Sequence, residues 1–329
     1  MTIAFTHILE ASRRVGPHVL RTPLRESVAL TGRFGQPVRL KCEHQQTTGS
    51  FKLRGATNAV LSLNNAQREA GVTGASTGNH GRALAHAARI AGSRAIVCMS
   101  KLVPANKVRA IEALGAEARI IGESQDDAQI EAERLVRENG MTMVPPFDTE
   151  AVIAGQGTLG LEILEQAPDT ADLLVPLSGG GLIAGVALAA KTVNPHIRIV
   201  GITMERGAAM HACLAAGKPV SVREVATLAD SLGGGIGLDN RHTFAMVRDL
   251  VDEVVLVSEA EIADGLRFAY FEEGEVIEGA AAVGIAALLS GKVAPKGPVA
   301  IVLSGKNIDM ALHQAIMAGE TPDFGAEDA

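Results

Sequence analysis

The feature that most constrains this chain is a repeated alternation of short apolar runs, glycine-containing turns and amphipathic stretches. Typical apolar runs are RAIVCM at 94–99, LLVPL at 173–177 and VAIVL at 299–303. Each is too short for an isolated helix and is rich in aliphatic residues. Longer stretches with helical periodicity lie between such runs, for example at 104–114 and 126–138. Strands that alternate with helices predict an α/β protein with mostly parallel sheets.

Further strands are predicted at 118–121, 141–144, 197–202 and 254–257, and further helices at 182–191 and 259–270. In parallel sheets, ligands bind at the carboxyl ends of strands, where loops lead into helix N-termini. Three loops have this character: GASTGNH at 74–80, LSGGGL at 177–182 and LSGKN at 303–307. A fourth segment, TGSFKLRG at 48–55, places Lys52 just inside a predicted helix.

The composition excludes several classes of protein. The 329 residues are enough for about two domains. A net charge of −7, with 3% aromatic residues, is unsuited to binding nucleic acid, which requires basic surfaces and stacking side chains. The longest apolar stretches, at 182–190 and 280–289, are well below the roughly 18 residues of a membrane span. The first residues lack the pattern of a secretory signal, so we expect a cytoplasmic protein without membrane or nucleic-acid partners.

Each loop taken alone allows a structural and a functional interpretation. The glycines at 179–181 could form only a tight turn, or they could present backbone N–H groups and a helix N-terminus to a phosphate. Ser76 and its neighbours could cap a helix or bind a carboxylate. A lysine such as Lys52 is usually a solvated surface charge. The three cysteines lie far apart, without a CxxC pair, so neither a disulfide framework nor a zinc site is indicated.

Together, the four segments resemble the fold-type II pyridoxal-phosphate enzymes of the threonine dehydratase and serine racemase group. SFKLRG at 50–55 resembles the lysine motif of that group, STGNHG at 76–81 its substrate-carboxylate loop, SGGGL at 178–182 its phosphate loop and SGKN at 304–307 its pyridine-nitrogen loop. The resemblance covers about residues 5 to 318. Two further stretches, at 201–219 and 226–244, look closest to the hydroxyectoine-utilisation dehydratases.

The resemblance implies a role for each motif residue toward pyridoxal 5′-phosphate. Lys52 would form the Schiff base and then act as the base at Cα, and Thr77 is the second candidate catalytic residue. Phe51 would pack on the cofactor, Asn79 would bind its 3′ oxygen and Ser304 its pyridine nitrogen. The phosphate loop would consist of Ser178, Gly179, Gly180, Gly181 and Leu182. The substrate would contact Ser76, Thr77, Gly78, His80, Asp148, Gly233 and Gly234.

Two departures from the group limit what the resemblance implies. Thr77 stands where the serine racemases carry a serine that protonates the far face of Cα, and its β-branching restricts the rotamers of the hydroxyl. Racemase activity is therefore disfavoured. Acidic metal ligands of some relatives fall, by alignment, on Thr203 and Ala209, while Gly207 offers only a carbonyl. We therefore expect no metal.

The implied reaction is an ammonia-lyase reaction in which a small L-β-hydroxy amino acid loses water and then ammonia to give a 2-oxo acid. Neutral Ser304 suits such an elimination better than the carboxylate that aminotransferases place at the ring nitrogen. The three glycines at 233–235 could form only a flexible turn. They could also leave room for a substrate longer than threonine, such as a hydroxylated diaminobutyrate, with Asp148 meeting its distal amine. Alternatives are a general threonine or serine ammonia-lyase, a β-replacement enzyme, a racemase, or a non-enzymatic module that binds an anionic metabolite.

The same resemblance predicts the organisation of the chain. A large cofactor-binding domain would comprise residues 1–70 and 149–329, and a small inserted domain would comprise residues 71–148. The cofactor would lie in the cleft between two parallel-sheet α/β domains. A homodimer or homotetramer is the expected assembly.

Overall fold

The computed structural model describes residues 3–76, 78–103 and 105–322. Within these ranges the strands are β1 (Leu24–Glu26), β2 (Val38–Lys41), β3 (Val72–Ala75), β4 (Ala95–Met99), β5 (Glu117–Ile120), β6 (Thr142–Met143), β7 (Asp172–Pro176), β8 (Arg198–Met204), β9 (Glu253–Val257) and β10 (Val299–Val302). The helices are α1 (Phe5–Val15), α2 (Val28–Phe34), α3 (Lys52–Leu61), α4 (Asn65–Ala70), α5 (Asn79–Ile90), α6 (Ala105–Glu112), α7 (Gln125–Asn139), α8 (Glu150–Gln166), α9 (Gly181–Val193), α10 (Ala209–Ala216), α11 (Thr243–Leu250), α12 (Glu259–Phe271), α13 (Gly279–Leu289) and α14 (Met310–Met317).

The larger sheet has the strand order β1-β2-β10-β7-β8-β9 and is parallel except for its antiparallel edge strand β1. Its central strand β7 is buried on both faces. Leu173 and Val175 pack into a cluster with α8, α9 and α11, whereas Leu174 packs into a cluster with α12 and α13 on the other face. Successive side chains of a strand point to opposite faces, so an uninterrupted apolar strand is stable only between two layers of helices.

The smaller sheet has the order β5-β4-β3-β6 and is entirely parallel. Its strand β4 is also covered on both faces: Val97 packs with α3, α5 and α6, and Ile96 packs with α7. Helix α3 precedes residue 71, yet its buried residues share the apolar cluster of the smaller sheet. The division into domains at residues 71 and 148 stays a prediction, but the packing ties α3 to the smaller sheet.

The predicted fold class is confirmed, and the ends of the predicted strands and helices agree with the structure to within two residues. Helix α8 is not among the predicted helices, because three glycines interrupt its helical pattern. The packing explains them: a Cβ added at Gly157 would lie 2.7 Å from Ile8 and 3.0 Å from the carbonyl oxygen of Gly185 on α9. Close contact between α8 and α9 therefore overrides the low helix propensity of glycine.

The two longest apolar stretches belong to core helices. Residues 182–190 lie within α9 and residues 280–289 lie within α13, and both helices are buried over most of their length. Among the described residues, no helix is both long enough and apolar enough to cross a membrane.

Candidate active site

The carboxyl ends of β3, β7 and β10 open onto one cavity of about 520 Å³. The loops that follow these strands contribute Ser76, Ser178 and Ser304 to its wall. The start of α3 joins them because the backbone of residues 50–51 pairs with residues 304–305: Ser50 forms a bridge with Gly305, and the Phe51 N–H donates to the Ser304 carbonyl oxygen at 3.0 Å. Segments that are far apart in the sequence thus meet at one edge of the sheet.

Most of the predicted site residues line this cavity. They are Phe51, Lys52, Ser76, Gly78, Asn79, His80, Ser178, Gly179, Gly180, Gly181, Leu182, Gly233, Gly234 and Ser304. Thr77 lies outside the described residues, and its role stays a prediction.

Asp148 is not brought to the cavity wall. Its carboxylate accepts backbone hydrogen bonds from Arg241 at 2.7 Å and from His242 and Thr243 at 2.9 Å each. It therefore caps α11, whose first N–H groups have no partner within the helix. The predicted contact between Asp148 and a distal substrate amine is replaced by this cap.

Lys52 is the first residue of α3, and its Nζ donates a hydrogen bond to the Pro146 carbonyl oxygen at 2.8 Å. Among the described residues it makes no ion pair. Burial lowers the pKa of Lys52 to about 8, although Glu278 acts in the opposite direction. An amine with such a pKa gives up its proton readily near neutral pH, as a Schiff-base lysine or a general base must.

The predicted phosphate loop is shaped by a close neighbour and by one special backbone conformation. Gly180 has φ of +88°, and a side chain on Gly179 would collide with the Phe147 ring at 2.5 Å. The loop ends at Gly181, the first residue of α9. Its backbone N–H groups and the positive end of the helix dipole form an anion site that a Cβ would obstruct.

His80 is held neutral. Burial, helped by the nearby charge of Lys52, lowers the pKa of His80 to about 4. Its Nε2 lies 2.7 Å from the Val144 carbonyl oxygen, which can only accept, so Nε2 carries the proton. His80 is thereby fixed beside the N-terminus of α5, where the substrate carboxylate is expected.

One buried carboxylate in this cavity, Glu278, is not among the residues predicted from the sequence. Its Oε1 accepts from Asn79 Nδ2 at 2.7 Å, and its Oε2 accepts from the Asn307 backbone N–H at 3.0 Å. Asn307 Nδ2 in turn donates to Asn79 Oδ1 at 2.5 Å, so the Asn79 amide is fixed from both ends. Burial and the nearby Asp230 raise the pKa of Glu278 to about 7.

A sequence signal for Glu278 did exist. It is a single carboxylate immediately before GAAAVGIAALL, a helix without charged residues. A charged residue next to a fully apolar helix is a candidate for a buried functional group, because it cannot easily reach solvent.

The site therefore fits pyridoxal phosphate on its own geometry. It combines an anion-binding glycine loop, a desolvated lysine, a buried serine at the sheet edge and an asparagine fixed by Glu278 and Asn307, all around one cavity.

Comparison with known proteins agrees with this geometry. The family model described as "Pyridoxal-phosphate dependent enzyme" matches residues 15–305. A putative threonine dehydratase of Sinorhizobium fredii is 60% identical over 318 residues and covers 96% of both chains. An L-threonine ammonia-lyase of Geobacter sulfurreducens is 41% identical over 309 residues, 94% of this chain and 76% of that one.

The solved structures agree as well. Maize serine racemase superimposes with a TM-score of 0.91 at 34% identity, over 97% of this chain and 98% of that chain. The chain therefore belongs to the family of pyridoxal-phosphate-dependent enzymes and is a lyase within it.

Proposed function

We propose that this lyase removes water and ammonia from an L-β-hydroxy amino acid that is longer than threonine and carries a cationic group at its far end. A hydroxylated 2,4-diaminobutyrate of the kind expected from hydroxyectoine has this form. The proposal rests on one part of the cavity wall, within residues 224–235, which contains both glycines and carboxylates.

The glycines on this wall leave space. A Cβ added at Gly234 or Gly235 would meet no atom within 4 Å, and one at Gly233 would lie 3.4 Å from the Glu224 carboxylate. Glu224 and Asp230 line the same part of the cavity. Two carboxylates beside open space favour a distal ammonium group, whereas the methyl group of threonine would gain nothing from them.

The residues of this chain would share the chemical work as follows. The N-terminus of α5, with Ser76 and His80, would bind the substrate carboxylate, and Lys52 would remove the proton from Cα. The bound cofactor would supply the electron withdrawal that acidifies this proton. Ser304 would be a neutral hydrogen-bond partner of the pyridine nitrogen, so the electron withdrawal by the cofactor would be moderate. Moderate withdrawal suits the loss of the β-hydroxyl as water.

A panel of β-hydroxy amino acids, assayed for release of ammonia and 2-oxo acid, tests the proposal. We expect kcat/KM for 3-hydroxy-2,4-diaminobutyrate to exceed that for threonine by at least about tenfold, or about 1.4 kcal/mol of transition-state binding. Glu224→Gln and Asp230→Asn should reduce this preference while leaving turnover of threonine nearly unchanged.

The second candidate is a plain threonine ammonia-lyase, which the names of the relatives favour. Threonine would then give the highest kcat/KM of the panel, and the two carboxylate variants would have no selective effect. That result would refute the enlarged pocket and leave the lyase assignment intact.

A homodimer or homotetramer and a cytoplasmic location are proposals as well. An exposed apolar patch on α12 and α14 supports self-association: Phe271 and Met310 are exposed, and the Tyr270 ring contacts both Phe271 and His313. Light scattering of the purified holoenzyme measures the assembly, and a monomer at micromolar concentration would contradict it.

A further inference from the structure

A second cluster of polar side chains lies where β2 ends, apart from the cavity lining. Cys42, His44 and Glu275 each place one potential ligand atom within 4.8 Å of the other two. Cys42 and His44 are buried and Glu275 is partly exposed. Within the described part of the chain, this is the group of histidine, cysteine and carboxylate side chains with the spacing of a metal site.

The cluster is incompletely satisfied by the protein itself. One nitrogen of His44, Nε2, lies 2.8 Å from Glu275 Oε2, but the buried Nδ1 has no hydrogen-bond partner. The His44 side chain is only 2% exposed, so water does not readily replace that partner. Cys42 Sγ makes a long 3.5 Å hydrogen bond to the Leu40 carbonyl oxygen. A buried nitrogen without a partner is unfavourable, so the protein alone does not satisfy the hydrogen-bonding groups of His44.

We propose that Cys42, His44 and Glu275 bind one zinc ion, with water as the fourth ligand. Thiolate, imidazole and carboxylate are the three ligand types that zinc takes from proteins, and in tetrahedral sites these atoms lie about 3.3 to 3.6 Å apart. The three ligand atoms lie within 4.8 Å of one another, so side-chain adjustments of about 1 to 1.5 Å would bring them to such distances. The thiolate selects against magnesium and calcium, and the exposed side of Glu275 gives water and the ion access.

Charges around the cluster balance when zinc is bound. Arg25 lies 3.3 Å from Glu275, but its main partner is Glu273, whose carboxylate is 2.7 Å away. Arg25 keeps that partner when Glu275 turns to the ion. The Cys42 thiolate and the Glu275 carboxylate would then match the charge of one divalent cation, after the Cys42 thiol has released its proton to water.

The ion would join segments that lead into the active site. The backbone N–H of His44 donates a hydrogen bond to the carbonyl oxygen of Leu303 at 2.9 Å. Leu303 is the residue immediately before Ser304. Cys42 lies in the segment that leads to Lys52, and Glu275 lies three residues before Glu278. Bound zinc should therefore stabilise the folded holoenzyme, and this inference does not depend on the identity of the substrate.

The test uses chelator-treated, desalted holoenzyme, titrated calorimetrically with zinc chloride and spectroscopically with cobalt chloride. We expect one ion per chain, a rise in Tm, and tetrahedral cobalt bands at wavelengths longer than the cofactor absorption. Cys42→Ser and Glu275→Gln should each weaken zinc binding at least about tenfold. The matched control Cys213→Ser removes another buried free cysteine and should bind zinc as the wild type does.

Two results would overturn the proposal. One is the absence of stoichiometric zinc uptake by the folded holoenzyme. The other is unchanged zinc affinity in Glu275→Gln, a partly exposed position whose variant should fold even if Cys42→Ser does not. Lys52→Ala should retain zinc binding, which separates this site from any metal bound at the cofactor cavity.

Discussion

Lys52 and Arg54 are two residues apart on the same helix, yet the structure surrounds these two cations in opposite ways. Arg54 is fully buried and is held by Glu43 at 2.8 Å and by Glu162 at 2.7 Å. Lys41 completes this network with a 2.8 Å contact to Glu162. Lys52, by contrast, has a carbonyl oxygen as its partner and a cavity beside it.

The difference separates a structural charge, Arg54, from the charge that we propose to be catalytic, Lys52. Burial opposes ionisation at Glu43, but the Arg54 guanidinium outweighs it and lowers the pKa of that carboxyl. At Lys52 nothing of comparable strength compensates burial, so its pKa is lowered to about 8. Paired ions fix the position of the helix, whereas the unpaired lysine is left able to exchange a proton.

The largest effect should come from Lys52→Ala. We expect kcat to fall at least about 1,000-fold, because the proposed base and the proposed point of cofactor attachment are both removed. The Tm of the cofactor-free protein should not fall, since no ion pair is lost. Steady-state assays and calorimetry measure the two quantities.

Borohydride reduction and peptide mapping provide the control for Lys52. The pyridoxyl label should appear on Lys52. A label on Lys101, Lys107, Lys191 or Lys306 would show that Lys52 is not the residue that binds the cofactor.

Arg54→Met should have the opposite profile. It leaves Glu43 buried without its cation, so we expect a loss of about 3 to 5 kcal/mol in the free energy of unfolding. Arg21→Ala breaks the exposed pair with Glu165 and should cost less than about 1 kcal/mol. Equal losses in the two variants, measured by denaturant unfolding, would contradict the distinction between buried and exposed pairs.

Glu278→Gln tests the same difference between a buried group with an ion-pair partner and one without, now for the carboxylates Glu43 and Glu278. The pKa of Glu278 is raised from 4.5 to about 7, so the folded protein holds this proton more tightly than the unfolded chain does. The free energy of unfolding of the wild type should therefore decline as the pH rises from about 4.5 to about 7. Glutamine does not titrate. The stability of the variant relative to wild type should therefore increase by up to about 3 kcal/mol between pH 5 and pH 8.

Glu43→Gln is the matched control for this titration. The pKa of Glu43 is lowered by its ion pair, so Glu43 is ionised throughout pH 5 to 8 in both folded and unfolded states. Its substitution should cost the same stability at both ends of the range. A pH-independent difference for Glu278→Gln as well would show that Glu278 is not held near neutrality.

Ser304→Asp should have a smaller effect than Lys52→Ala, Arg54→Met and Glu278→Gln. It adds a carboxylate at a buried cavity position, 2% exposed, where the protein has a neutral side chain. We expect elimination to slow by about tenfold, corresponding to about 1.4 kcal/mol, with new long-wavelength absorbance of the cofactor. Unchanged kinetics and an unchanged spectrum would mean that Ser304 does not contact the ring nitrogen.

The sequence alone determined the local features of this protein. Apolar runs such as 299–303 and the glycines at 179–181 predicted a strand and a strand-to-helix turn, because alternation, apolar length and turn chemistry act over a few residues. The order of four such motifs was enough to identify the family. It also predicted that these segments surround one cofactor.

Only the tertiary structure decided which distant charges meet. Glu278 reaches Asn79 across 199 residues of sequence, and Asp148 caps α11 rather than facing the cavity. The cluster of Cys42, His44 and Glu275 likewise joins two remote segments. Such contacts depend on how helices and sheets pack, and a buried charge takes its pKa from those neighbours rather than from its own segment.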